Sequence, residues 1–112
     1  MMLMASRVLV IVATGDREKA LAGLMYAKNA SKYGWVEDVK LILFGPSERL
    51  AAEDEEVGGR VRELSHLHPY ACKAVSDRYE TSERLRELGV EVEYVGSIVS
   101  RFIKEGYTPL VW

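Results

Sequence analysis

The chain has 112 residues, which is the size of a single domain and enough to bury a core without disulfides or a structural metal. Charged residues of both signs make up 29% of the chain, and the net charge of −2 excludes the basic footprint of a nucleic-acid-binding protein. No apolar run is long enough to span a membrane, and the opening MMLM is too short for a signal peptide.

These bounds predict a single domain over residues 1–112 in the cytoplasm, with no membrane or nucleic-acid partner. The chain contains one cysteine, Cys72, so no internal disulfide can form and the thiol is expected to stay reduced. The chain also lacks glutamine and has one asparagine, a depletion of thermolabile amides that is typical of thermophilic proteins.

The first part of the chain predicts two buried strands joined by a helix. RVLVIVA (7–13) is a continuous apolar run rich in β-branched residues, as expected of a strand covered on both faces. Asp16 is a suitable N-cap for a helix over 17–33, and Gly34 follows where a left-handed C-cap is expected. VKLILFG (39–45) predicts the second strand.

The middle of the chain is less regular. PSERLAA predicts one or two helical turns beginning at Pro46 or Ser47. Gly58-Gly59 is expected to interrupt any longer helix before RVREL (60–64) resumes the helical pattern. HLHPYA (66–71) predicts a third strand that is short or irregular, because proline cannot donate to a sheet ladder.

Two short helices are predicted next. KAVSDRY (73–79) follows Cys72 directly, and SERLREL (82–88) begins at Thr81 or Ser82 and ends at Gly89. Both lie between the third strand and the next apolar run.

The last part of the chain predicts strand, helix and strand. VEVEYV (90–95) alternates apolar and charged residues, so one face of this strand is expected to be less buried or covered by another subunit. Gly96-Ser97 should end it, and IVSRFIKE (98–105) has the apolar face of a helix. TPLVW (108–112) predicts a final strand.

The whole pattern alternates strands and helices through short connections. Such alternation predicts an α/β fold of three layers, α/β/α, with a mostly parallel five-stranded sheet. Ligands bind in open sheets of this kind outside the carboxyl ends of the strands.

Several candidate residues are therefore expected at that edge. Gly15, Gly45 and Gly96-Ser97 each follow a predicted strand, and Cys72 stands at the corresponding place in the third unit, next to Lys73. A thiol at a strand-to-helix turn is exposed to backbone N–H groups that favour thiolate, and Lys73 could add to this effect. The expected pocket comprises Gly15, Gly45, Lys73, Gly96 and Ser97, with Cys72 as the reactive group.

Other roles for Cys72 stay open from the residues alone. It can be a small apolar side chain in the core, which is the usual place of an unpaired cysteine. It can ligate zinc with His66 and His68, although only three ligands are in view and Pro69 disturbs the strand, so no metal is expected. A cysteine–histidine catalytic pair lacks a group to orient the imidazole. The glycines form neither GxGxxG nor a P-loop, so no cofactor is expected.

The stretch YACKAVSDRYETSERLRELGVEVEYVGSIVSRFIKEGYTPLVW (70–112) resembles the DsrE/DsrF-like family of sulfur-relay proteins, which has the YchN-like fold. In that family a cysteine opens the helix after the third strand. A Gly-Val strand, a Ser/Gly-led amphipathic helix, a Gly-aromatic turn and a final strand follow at similar intervals. The amino-terminal strand and helix and the FGP turn (44–46) also fit.

The resemblance implies that Cys72 carries sulfur as a persulfide and passes it between donor and acceptor proteins. It also implies a homo-oligomer, a trimer or a hexamer, with the active edge near a subunit boundary. Tyr94, Val95 and Trp112 are expected to form an apolar surface there. The alternatives are a non-catalytic subunit of the same fold, which holds a small ligand or a partner, and an unrelated flavodoxin-like binding domain.

Overall fold

Five strands form one sheet in the structure, a computed structural model that describes residues 6–112; the opening MMLM lies outside them. Their order across the sheet is β4-β3-β2-β1-β5, and all four neighbouring pairs are parallel. The predicted α/β architecture is therefore confirmed. The strands are β1 (Arg7–Val12), β2 (Asp38–Leu43), β3 (Tyr70–Cys72), β4 (Glu91–Glu93) and β5 (Thr108–Val111).

Six α-helices connect the strands, and none of those in the described part of the chain is long and apolar enough to cross a membrane. A short 3₁₀ turn, Ser65–Leu67, precedes β3. The helices are α1 (Arg17–Lys32), α2 (Pro46–Glu53), α3 (Glu55–Glu63), α4 (Lys73–Tyr79), α5 (Ser82–Glu87) and α6 (Val95–Lys104).

The two faces of the sheet are covered unequally. On one face the apolar residues of α1, α2, α3 and α5 pack on the sheet and form the larger core. On the other face a smaller core forms around Leu9 and Ile42 of the sheet and Val95 and Phe102 of α6, and it includes Cys72. This is the three-layer arrangement expected of a parallel sheet.

The predicted ends of several helices are confirmed. The Asp16 side chain accepts a hydrogen bond of 2.9 Å from the Lys19 backbone N–H, and Thr81 precedes α5. Gly34 and Gly89 both have positive φ just after helices, at 63° and 86°, where a side chain would be strained.

The prediction that Gly58-Gly59 interrupts the helix was wrong. Both glycines lie inside α3, which begins at its N-cap Asp54, whose side chain accepts from the Val57 backbone N–H. The apolar residues Val57 and Val61 are fully buried, so tertiary packing overrides the low helix propensity of glycine.

Two predicted strands are shorter than expected. Within 66–71, His66 and Leu67 belong to the 3₁₀ turn, and His68 has a left-handed backbone conformation with φ 53°. The strand β3 therefore begins only at Tyr70. Within 90–95 the strand ends at Glu93 and Val95 already begins α6.

The apolar surface predicted from Tyr94, Val95 and Trp112 does not form as one patch. Val95 is buried in the smaller core, and the Trp112 ring stacks on Tyr26 with its centroid 5.6 Å away. Tyr94 alone of the three is exposed, at 63%. The chain's own helices cover the other two side chains.

Candidate functional site

Cys72 lies at the carboxyl edge of the sheet, where the fold predicts ligand binding. It is the last residue of β3 and the N-cap residue of α4, with extended backbone angles. Only 8% of its surface is exposed, because it belongs to the smaller core with residues of α6. Val75, Ile98 and Val99, all partly buried, pack against that core. The structure therefore places the thiol just below the surface, between α4 and α6.

Lys73, predicted to assist the thiol, points elsewhere. Its ammonium group forms a salt bridge with Asp77 one turn along α4, and it lies 5.8 Å from the centre of the Tyr94 ring. The hydrogen bond from Lys73 lowers the pKa of Asp77 and the same bond raises the pKa of Lys73. Since its charge is already paired, Lys73 contributes little to stabilising a thiolate at Cys72.

Gly15 and Gly45 lie shortly after the ends of β1 and β2. A Cβ atom on Gly15 would lie 3.1 Å from the Cβ of Pro46, and Gly45 has φ 89°, which only glycine adopts without strain. Next to them is an open groove of about 300 Å³ that does not reach Cys72. It is lined by Gly15, Pro46, Arg49, Leu50, Glu53 and Tyr79.

Gly96 and Ser97 were predicted to end a strand, but they form the first turn of α6. Both are exposed, and a Cβ on Gly96 would meet nothing within 4 Å. The predicted pocket residues thus share the carboxyl edge of the sheet without lining one pocket. Gly15 and Gly45 lie near the groove at α2, while Gly96 and Ser97 lie at α6.

Glu48, which was not predicted from the sequence as a site residue, is the most unusual polar side chain near Cys72. Its side chain is fully buried in the first turn of α2, where Oε2 accepts a hydrogen bond of 3.0 Å from the Gly45 backbone N–H. Oε1 has no hydrogen-bond partner among the described residues. Burial raises the pKa of this carboxyl to about 7, and the backbone N–H groups of Gly45 and Cys72 oppose part of the rise.

The two histidines are separated from the cysteine by the length of β3. His66 and His68 precede the strand, whereas Cys72 ends it, and His66 Nδ1 lies 3.1 Å from the Glu63 carbonyl oxygen. Within residues 6–112, no three His, Cys, Asp or Glu side chains cluster in a way that could hold a metal ion. The arrangement offers no zinc site built from these three residues.

Neither a family model nor a curated protein matches the chain, but solved structures share its fold. It is similar to a conserved protein of unknown function, BT1422, from Bacteroides thetaiotaomicron, with 27% identity, a TM-score of 0.81 and 93% of each chain covered. It is also similar to a protein of unknown function, MTH1491, from Methanobacterium thermoautotrophicum, with 23% identity and a TM-score of 0.75. That match covers 96% of this chain and 99% of the other, and it extends the fold to nearly the whole sequence.

Proposed function

We propose that this protein is a small cytoplasmic sulfur carrier, of the DsrE/DsrF sulfurtransferase type, that holds sulfane sulfur as a persulfide on Cys72. The observation that carries the proposal is the position of the only cysteine at the carboxyl end of β3, where its backbone N–H acts on the buried carboxyl group of Glu48. The resemblance of residues 70–112 to sulfur-relay proteins supports the same residue.

The chemistry needs only one cysteine on this chain. The Cys72 thiolate attacks the outer sulfur of a donor persulfide, so a new S–S bond forms at Sγ while the donor's S–S bond breaks and releases its thiolate. An acceptor thiolate then attacks the outer sulfur held on Cys72, and Cys72 leaves as a thiolate. Neither step requires an external oxidant, since the sulfur moves between thiols at the same oxidation level.

Burial of the thiol favours small reacting groups. With 8% of Cys72 exposed, a donor must bring its persulfide on a narrow or extended segment that enters between α4 and α6. The proposed partners are therefore donor and acceptor proteins that carry reactive thiols.

Intact mass spectrometry tests the proposal. After incubation with a persulfide donor, the wild-type protein should gain about 32 Da, the mass of one sulfur atom, and dithiothreitol should remove it. The Cys72→Ala variant should gain nothing. An unmodified wild-type protein, or an equal gain on the variant, would disprove the carrier role.

A second candidate function is a non-catalytic subunit that binds a small ligand in the groove at α2. The observation that favours it is the pairing of Arg49 with the Tyr79 ring, whose centre lies 5.6 Å from the guanidinium carbon across the groove. A half-exposed aromatic ring in a groove suits a planar ligand that stacks on it, while the Arg49 guanidinium is already paired with Glu53, which also lines the groove. An Arg49→Ala variant that loses such a ligand, yet still loads sulfur on Cys72, would separate the two functions.

We also propose that the protein assembles into a homo-oligomer, a trimer or hexamer, through the thinly covered face of the sheet. Val111 of β5 lies opposite Ile11, on the face of the smaller core, and is 66% exposed. Phe44, just after β2, and Ile103 on α6 are 45% and 49% exposed. Apolar side chains of this size commonly become buried in a subunit contact.

A further inference from the structure

The carboxyl group of Glu48 is held between two strand-to-helix turns. The residue follows β2 by five positions and lies in the first turn of α2, fully buried, with Ser47 beside it donating a hydrogen bond to the Val12 carbonyl oxygen. Oε2 accepts from the Gly45 N–H, and the Cys72 N–H acts on the same carboxyl without making a hydrogen bond of normal geometry. Glu48 therefore connects the turn after β2 with the turn that presents Cys72.

Among the described residues, no charged side chain compensates this carboxyl group. The influences on it are burial and the two backbone N–H groups. The charged residues of the neighbouring elements are either paired with other residues or exposed. Lys73 pairs with Asp77 on α4, and Arg49 pairs with Glu53 on α2. Glu93, which lies opposite Cys72 on β4, is exposed. An ionised Glu48 would thus be a buried negative charge with one unpartnered oxygen, which is costly.

We propose that Glu48 is a positioning residue for Cys72, and that the proton on its buried carboxyl group controls how readily the thiol reacts. The inference rests on the proposed function, in which Cys72 must react as a thiolate.

The physical reason is that two negative charges close together in a poorly solvated region disfavour each other. While Glu48 holds its proton, the carboxyl is neutral and a thiolate at Cys72 meets no like charge through the shared turn. When Glu48 ionises, the backbone N–H group of Cys72 faces a carboxylate. Ionisation of the Cys72 thiol would then add a second negative charge at the same turn, which is unfavourable. Simultaneous ionisation of the carboxyl and the thiol is therefore disfavoured, which couples the two groups.

The pH dependence of alkylation tests this coupling. The rate of reaction with iodoacetamide is measured from pH 6 to 9 for the wild-type protein and for Glu48→Gln, which keeps the shape and removes the charge. The variant should react at least threefold faster near pH 7.5 and reach a similar plateau at high pH, because a like charge has been removed. Superimposable pH profiles would overturn the inference.

Two matched variants separate this effect from general changes of charge. Glu53→Gln removes an exposed carboxyl from the same helix. A double variant, His66→Gln with His68→Gln, removes the two imidazole side chains, which lie at the far end of β3. Both should keep the wild-type alkylation profile. A threefold acceleration in either would overturn the assignment to Glu48.

A measurement on the wild-type protein tests the same coupling without depending on the folding of a variant. The amide resonances of Gly45 and Cys72 are followed from pH 5 to 9 in ¹⁵N-labelled protein. Because both N–H groups face one carboxyl, their shifts should move together with a common midpoint near 7. A Cys72 resonance that stays still while that of Gly45 moves would overturn the inference.

The same samples distinguish this inference from the carrier role. If the alkylation profile depends on Glu48 but no sulfur is loaded, the coupling stands and the sulfur chemistry fails. If sulfur is loaded but the profiles of wild type and Glu48→Gln coincide, the carrier role stands and the coupling fails.

Discussion

Gly58 in α3 lies so close to Ala51 in α2 that a Cβ atom on Gly58 would be 2.7 Å from the Ala51 carbonyl oxygen. The glycine that should weaken the helix is therefore what allows the two helices to approach. We expect Gly58→Ala to lower the free energy of unfolding by about 1–3 kcal/mol, because a backbone oxygen cannot yield as a flexible side chain does. Urea denaturation measures the change.

The neighbouring residue provides a matched control. A Cβ on Gly59 would meet nothing within 4 Å, and Gly59 is exposed in the same helix. Gly59→Ala should therefore raise the free energy of unfolding by about 0.5–1 kcal/mol, the ordinary gain of alanine over glycine in a helix. Changes of the same sign in the two variants would contradict the close contact.

The buried carboxyl of Glu48 predicts a loss of stability as pH rises. Its pKa is about 7 in the folded protein, against an ordinary value of 4.5. Below pH 4.5 both states hold the proton and there is no penalty. Between 4.5 and 7 the unfolded state releases it first, so the free energy of unfolding falls, and well above pH 7 the loss is complete, on the order of 3 kcal/mol.

Glu48→Gln should remove this component. Free energies of unfolding at pH 5 and pH 8 are compared for wild type and variant, and wild type should lose at least about 1 kcal/mol relative to the variant. The exposed Glu53, which pairs with Arg49, serves as control, and Glu53→Gln should follow the wild type within about 0.5 kcal/mol. Parallel pH dependences for wild type and Glu48→Gln would rule out a raised carboxyl pKa.

The stability of the protein should respond differently to serine and to alanine in place of Cys72. In Cys72→Ser a hydroxyl enters an apolar cluster around Phe102 and Val95, at a cost of about 1–3 kcal/mol. Cys72→Ala loses only the packing of the sulfur and should cost about 1 kcal/mol. Thermal or urea unfolding of the two variants checks the order, and a serine variant as stable as the alanine one would mean that the site is wetter than its burial indicates.

The proposed assembly predicts that a charge introduced on the thinly covered face of the sheet weakens the contact between subunits. Val111→Glu should convert the oligomer to smaller species in light scattering at micromolar concentration, since it places a charge in the subunit contact. Met25, which is 60% exposed on α1 on the opposite face, is the control, and Met25→Glu should leave the size unchanged. A wild-type protein that is monomeric at this concentration would disprove the assembly.

Much of the fold could be predicted because its signals are local. The continuous apolar run at 7–13, the N-cap Asp16 and the left-handed Gly34 each specify a structure within a few residues, and all three are found. The predictions were wrong where tertiary contacts determine the local structure. The pair Gly58-Gly59 is a helix breaker in isolation, and only the approach of α2 explains why it is helical.

The site shows the same limit. Cys72 could be placed at the sheet edge from the order of the elements, but Glu48 could not be recognised, because a glutamate at the third position of a helix ordinarily accepts from the N-cap while exposed to water. The Gly45-Pro46-Ser47-Glu48 spacing was the available signal. This spacing does not indicate that Glu48 is buried, because its burial depends on packing against β3 and α4, which come later in the chain.

The strand order also has a consequence for biosynthesis. β5 pairs with β1, and Val8 lies opposite Thr108, so the partner residues are separated by 100 positions (108 − 8). Until the ribosome has delivered β5, one edge of β1 stays unpaired beside an almost complete sheet. Closing such a distant contact is slow, and an open apolar edge invites pairing with other chains. We therefore expect nascent chains stalled before β5 to depend on chaperones far more than the finished protein.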